Sequence, residues 1–311
     1  MLAALLTAFL FSLSAVCGRR LAVVIGGLQA NTTRLALAFG LLLAIVFMLG
    51  GWTGGTEAFR WLVISGVIGF GVGDVALYLS LVRIGSRLTT LLVFCIGPLL
   101  GAMIEFGWLG VRVSVGEIVA IVTVLIGVAL VLSRSGKEPR TDISKRRRSG
   151  YIWGIVAGVG QAVGAVFTRR ANEVFETRVG EASGIVDGLS QAMVRVGAGL
   201  PIGIAALLIA SFAVRRGQNV KEDSGSAVKL SRKSLVAWLV AAATCGPVFG
   251  VGCFQLALMS VQSAVVLAVV ALTPIFVMPW AFLLERDRPT LRALLGTVIA
   301  VSGVIWLALG S

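Results

Sequence analysis

Asp74 and Tyr78 stand one helical turn apart in GFGVGDVALY, a stretch with glycine at positions 69, 71 and 73. A carboxylate there can bind a cationic group, carry a proton, or accept a hydrogen bond from the Tyr78 hydroxyl four residues on. Taken alone, the glycines suggest half of a phosphate-binding loop. That loop requires a strand before it and a helix after it. Neither fits inside the continuous apolar run WLVISGVIGFGVGDVALYLSLV. On a helix, Gly69 and Gly73 share a face, and small residues at that spacing let neighbouring backbones approach. The glycines are therefore expected to be packing residues.

Asp74 lies about 10 Å inside the end of its apolar run at ~1.5 Å per residue. A carboxylate at such depth costs about 2.5–3.5 kcal/mol to insert. Two roles remain open for it: a binding or proton-carrying group facing a wet cavity, and a structural group bonded to Tyr78 or to backbone. The other polar residues at apolar depth are Gln161 and Gln255, which can bind a solute or join helices. Arg34 and Arg195 each open an apolar run, in RLALAFG and RVGAGLP. They are read either as interfacial anchors or as cavity-mouth cations that attract anionic or zwitterionic solutes. Pro98 and Pro274 each leave a backbone carbonyl without its helical donor and are expected to break their helices. Glu105 is read as interfacial. The chain has no histidine, and its four cysteines, Cys17, Cys95, Cys245 and Cys253, all sit in apolar runs. No metal site, cofactor or catalytic group is expected, and the chain does not read as an enzyme.

The elements that must position these residues are helices in lipid. The chain is 58% hydrophobic and 13% charged, with a mean hydropathy of +0.99; soluble domains carry about 25% charged residues. Its apolar runs do not alternate in polarity as barrel strands would. The expected fold is an all-α polytopic membrane protein of ten spans, near residues 2–18, 33–51, 59–81, 88–109, 114–133, 151–168, 189–212, 235–259, 264–284 and 290–310. The first span is read as retained rather than cleaved, because no basic residue precedes it. The charged segments at residues 133–150 and 215–233 read as solvated linkers.

The two halves echo one another. Pro98 and Pro274 are separated by the same interval as Gly127 and Gly303, LLVFCIGPLL matches LAVVALTPIF, and CGRRLA echoes FTRRAN. Residues 1–133 and 151–311 are read as two repeats joined by a basic linker at 134–150. Five spans per repeat is an odd number, so the second repeat must be inverted. No acid occupies the stretch Gly250 to Cys253 that corresponds to Asp74, so any site is asymmetric.

These features resemble the drug/metabolite transporter superfamily, in its ten-helix EamA-like branch. The resemblance rests on a short span ending in basic residues, a span opening with Arg, a Gly-rich third span, a Pro-kinked fourth and a Gly-containing fifth. The second half, through LTPIFVMPWAFLLERDRPTLRALLGTVIAVSGVIWLAL, fits closely. In the first half, EFGWLGVRVSVGE lacks the acid-plus-base pair expected at the turn. The resemblance implies a secondary transporter of a small polar metabolite, such as an amino acid, working by alternating access in the plasma membrane as a monomer or homodimer. Its alternatives are a flippase for lipid-linked sugars or lipids, and a membrane assembly or signalling subunit. The formal charge of +13 is read as orientation in the bilayer, not nucleic-acid binding. Most Lys and Arg fall in breaks that share one side only if both termini are outside, whereas the resemblance implies termini in the cytoplasm.

Overall fold

The computed structural model describes residues 2–50, 52, 55–109, 115–132, 141–179, 185–216, 231–260, 266, 269–286 and 290–309. Among them every regular element is helical. The order is α1 (Leu2–Ile25), α2 (Gly27–Met48), α3 (Thr56–Gly66), α4 (Asp74–Leu109), α5 (Val115–Leu132), α6 (Thr141–Val179), α7 (Ile185–Arg215), α8 (Arg232–Ala243), α9 (Phe249–Ser260), α10 (Thr273–Trp280) and α11 (Leu291–Leu309). Three π-helical segments join or extend them: Val67–Gly73 between α3 and α4, Thr244–Val248 between α8 and α9, and Ala281–Glu285 after α10.

Six helical stretches among the described residues are long and apolar enough to cross a membrane, and two shorter apolar helices follow. The surface agrees with that setting. Ile204, Leu208, Ile209 and Phe212 of α7 are exposed, as are Phe47, Met48 and Leu283, while Arg34, Asp74, Arg195, Gln191 and Gln255 are buried. Apolar side chains outward and polar ones inward is the arrangement hydrocarbon selects.

Several boundaries differ from the sequence reading. The first span continues to Ile25, into the LAVVIGGL stretch through which the apolar run extends, while α2 starts at Gly27 rather than near residue 33. The turn is a single residue, Gly26, at φ 90°, a backbone angle that a side chain would strain. Arg34 therefore sits two turns inside its helix instead of opening it. Likewise Arg195 lies well inside α7. The second non-helical turn is Gly85 (φ 85°), inside α4. The α4 backbone stays helical through position 98; the Pro98 side chain, like that of Glu105, lies outside the described residues. Pro274 occupies the first turn of α10, just after the turn at Ala271–Leu272, a place where the missing N–H costs nothing. Helix α6 begins at Thr141, inside the segment expected to be linker.

Glycine sets the closest helix contacts. A Cβ on Gly127 of α5 would lie 2.7 Å from Ala300 Cα of α11, and one on Gly303 of α11 would lie 2.9 Å from Val124 N of α5. The two glycines matched between the halves thus meet at one crossing. Side-chain hydroxyls add further ties: Ser65 donates to the Gly164 carbonyl (2.6 Å) and pairs with Thr168 (2.9 Å), and Thr32 donates to the Gly203 carbonyl (3.1 Å).

Candidate functional site

Two arginines lie at the centre of the bundle. Arg34, on α2, forms an ion pair with Asp74 at the start of α4. Its Nη2 also donates to Asn31 Oδ1, one turn back (3.3 Å). Its guanidinium lies over the Tyr78 ring, 4.8 Å from the centroid. The predicted Tyr78-to-Asp74 hydrogen bond does not form. Arg34 takes the carboxylate, and the Tyr78 hydroxyl points instead at Gly18 of α1, where a Cβ would collide with it.

Arg195, on α7, donates from Nη1 to Gln255 Oε1 on α9 (3.2 Å) and lies over the Phe70 ring at 5.2 Å. Gln255 Nε2 donates to Gln191 Oε1 (2.8 Å), and Gln191 Nε2 donates to Asn172 Oδ1 of α6 (2.9 Å). Arg195 is within Coulombic reach of Asp74. The result is two groups, Asn31–Arg34–Asp74 on α2 and α4 and Arg195–Gln255–Gln191–Asn172 on α7, α9 and α6, which together form a polar seam.

The GFGVGD stretch makes room for this seam. A Cβ at Gly66 would lie 2.7 Å from Arg195 Cα, and one at Gly69 would lie 3.3 Å from Arg195 Nη2. Gly164 of α6 flanks the same nitrogen at 3.4 Å, and Gly73 packs on Gly160. The packing role expected of these glycines is therefore observed, with one addition: Gly69 borders a guanidinium. Arg34 has a parallel neighbour, since a Cβ at Gly246 would lie 2.9 Å from its Nη1. Both glycine neighbours lie in π-helical segments, Val67–Gly73 and Thr244–Val248. Such segments widen a helix locally and recur at functional sites.

Among the described residues, several buried donors in the seam have no partner: Asn31 Nδ2, Arg34 Nε, Tyr78 Oη and Arg195 Nε. Unpaired buried donors are rare and call for an explanation such as a ligand. Of the residues singled out from sequence, the structure brings together Arg34, Asp74, Tyr78, Arg195 and Gln255. Gln161 is half-buried on α6 and does not join them. Pro274 is buried away from the seam, at the start of α10. Sequence reasoning missed Asn31, Gln191 and Asn172. The signal was available for two of them: Asn31 precedes Arg34 by three residues and Gln191 precedes Arg195 by four, so each shares a helix face with its arginine. No group of metal-ligating residues occurs among the described residues.

A second polar cluster lies at one end of the bundle. Arg19 pairs with Glu285 (2.9 Å) and donates to the Leu81 carbonyl (3.2 Å), while Glu285 accepts from Ser86 N (3.3 Å) beside the Gly85 turn. Arg20 donates to the Leu284 carbonyl and lies 5.6 Å from the Trp238 ring centroid. This clasp joins α1, α4 and the segment Ala281–Glu285. The related pair Arg169 and Arg170 reaches Glu173 on its own helix, at 3.8 and 2.9 Å.

Comparison with known families decides the wider assignment. The EamA-like transporter family matches residues 1–133 and again residues 148–309. The chain belongs to the EamA-like transporter family. As an EamA-like protein, it is a multi-pass membrane protein of the drug/metabolite transporter type. No curated protein matches it. Among solved structures, one titled only "Crystal structure of protein" matches with a TM-score of 0.64 at 15% identity, over 98% of this chain and 94% of that one. That likeness concerns the fold alone.

Proposed function

We propose that this EamA-like protein is a secondary transporter that moves a small polar metabolite, such as an amino acid, across the plasma membrane by alternating access. The observation that carries this reading is the seam of Arg34, Asp74, Arg195, Gln255 and Gln191, buried where helices of both halves meet and holding donors without partners. Intramembrane ionisable groups facing a bundle interior mark solute or ion pathways. The two family matches, one per half, support a ten-span architecture of two inverted five-span repeats, residues 1–133 and 151–311, with the site between them. The clasp of Arg19 and Glu285 supports a cycle in which that end closes while the opposite end admits solute.

The test is solute counterflow in proteoliposomes. Purified protein is expected to accelerate exchange of its solute over protein-free vesicles, and Asp74→Asn is expected to abolish that exchange. Normal exchange in Asp74→Asn would remove Asp74 from the mechanism. Lipid scrambling in the same vesicles, without solute exchange, would make the chain a flippase.

A further inference from the structure

We infer that the solute binds through a carboxylate, held by the Nε–Nη2 edge of Arg195. This rests on the transport reading for its direction but not for its chemistry. Each half contributes an arginine on one helix and an acceptor on another, although Gln255 lies just past the stretch that corresponds to Asp74. In the first half, an arginine on the second helix (Arg34) meets an acceptor on the third span (Asp74). In the second half, Arg195 on α7 meets Gln255 on α9 in the same way. The first acceptor is a carboxylate and the second a neutral amide. The second pair carries no negative charge, and Arg195, 2% exposed, has no ion pair among the described residues.

The Nε side of Arg195 has the shape of the missing group. Its Nη1 is taken by Gln255, and among the described residues its buried Nε has no partner. Nε and Nη2 are the two parallel donors that grip a carboxylate side-on. Gly69 and Gly164 border Nη2 where any larger residue would bring a Cβ to 3.3–3.4 Å. The Phe70 ring backs the guanidinium plane, a surface that accepts stacking without competing for its N–H groups. With Arg34 balanced by Asp74, the site carries one surplus positive charge, which a bound carboxylate neutralises.

The decisive variant is Gln255→Glu. It keeps the side-chain length and supplies the missing carboxylate from within, as Asp74 does for Arg34. The Gln191 and Asn172 amides can turn over to donate along the chain to the new acceptor. Binding is read by thermal shift of the purified protein in detergent, because a ligand raises the melting temperature of the state it binds. The probes are the L-amino acids, acetate and inorganic phosphate, each amino acid paired with its carboxamide. Wild type is expected to be stabilised saturably by at least one amino acid and not by its amide. Gln255→Glu is expected to be folded and at least about tenfold weaker for that probe, the size of a lost charge-assisted hydrogen bond. Arg195→Lys, which keeps the charge but loses the paired edge, should weaken it similarly.

Equal stabilisation by an acid and its amide, full binding by Gln255→Glu, or a flat response to every carboxylate overturns the proposal. A response to phosphate alone overturns the carboxylate assignment. Binding without flux in proteoliposomes would sink the transport reading and leave this site standing. Flux of a neutral or purely cationic solute would do the reverse.

Discussion

Removing either member of the Arg34–Asp74 pair leaves the other charge buried among Asn31, Tyr78 and Gly246. Breaking a buried pair from one side costs about 3–5 kcal/mol, whereas removing both charges can be nearly neutral. Asp74→Asn is therefore predicted to lower stability by roughly that amount, and Asp74→Asn with Arg34→Gln is predicted to recover most of it. Neither variant should transport. Melting temperature and counterflow, measured on the same preparations, check both statements; a double variant that transports would reduce the pair to a structural tie. Sequence marked Asp74 because a charge inside an apolar run is conspicuous, and Arg34 and Arg195 because each opens a run in its half. It could not join Arg34 to Asp74, because the two are 40 residues apart and nothing in local spacing sets that contact. The hydrogen bond from Tyr78 to Asp74 fails for the same reason: the i, i+4 rule describes a helix surface in isolation, and a long-range cation took the carboxylate first.

At the scale of elements, glycine rather than proline governs the helix geometry around the site. Gly66 and Gly127 each face the backbone of a neighbouring helix at distances no Cβ can share. Gly66→Ala is predicted to destabilise by about 1–3 kcal/mol through overpacking. It should also weaken solute binding, because it pushes directly on the Arg195 backbone. Gly127→Val should separate α5 from α11 with a loss of similar size and a smaller effect on binding, since that crossing is remote from the seam. Thermal unfolding and titration of the bound solute distinguish the two; equal binding defects would mean that α5 and α11 shape the site after all. Pro274→Ala is expected to change stability little, because Pro274 opens α10 without removing a needed donor, and to slow exchange if the turn before it moves. Wild-type exchange in that variant would take the turn out of the cycle. The helical class was legible from the apolar runs, and the glycines matched by spacing, Gly127 and Gly303, meet at one helix crossing. The π-helical segments were not legible: an extra residue per turn leaves no mark in hydropathy, and only the neighbours' shapes demand it. The start of α2 was hidden because Gly26 turns the chain without any polar break.

For the whole molecule, the clasp of Arg19, Ser86 and Glu285 ties three elements at one end. Glu285→Gln is expected to loosen that end and to raise several-fold the labelling rate of a single cysteine placed at Ser86; an unchanged rate would mean the clasp does not hold the closed state. The same end carries Arg19, Arg20, Arg83, Arg87 and the basic start of α6, and Gly150 packs on Arg83 and Ile84 there. The positive-inside rule predicts that this end faces the cytoplasm, with both termini outside. Single cysteines at Ser144 and Ser226, in a cysteine-free background, should escape an impermeant thiol reagent in intact cells and react after lysis. Labelling in intact cells reverses the orientation. The surplus charge at the seam has a further consequence, one that concerns voltage. In the proposed cycle an empty carrier holding Arg34, Arg195 and a single Asp74 presents a net cation to the membrane field; a carrier loaded with an anionic monocarboxylate presents none, whereas a zwitterionic amino acid leaves it cationic and net flux electroneutral. A membrane potential then acts on the empty return step, at about 2.3 kcal/mol per 100 mV for a charge that crosses the full field. One-for-one exchange should be nearly indifferent to a potassium diffusion potential set with valinomycin, while net flux of an anionic monocarboxylate should respond to it steeply and in opposite senses for opposite polarities.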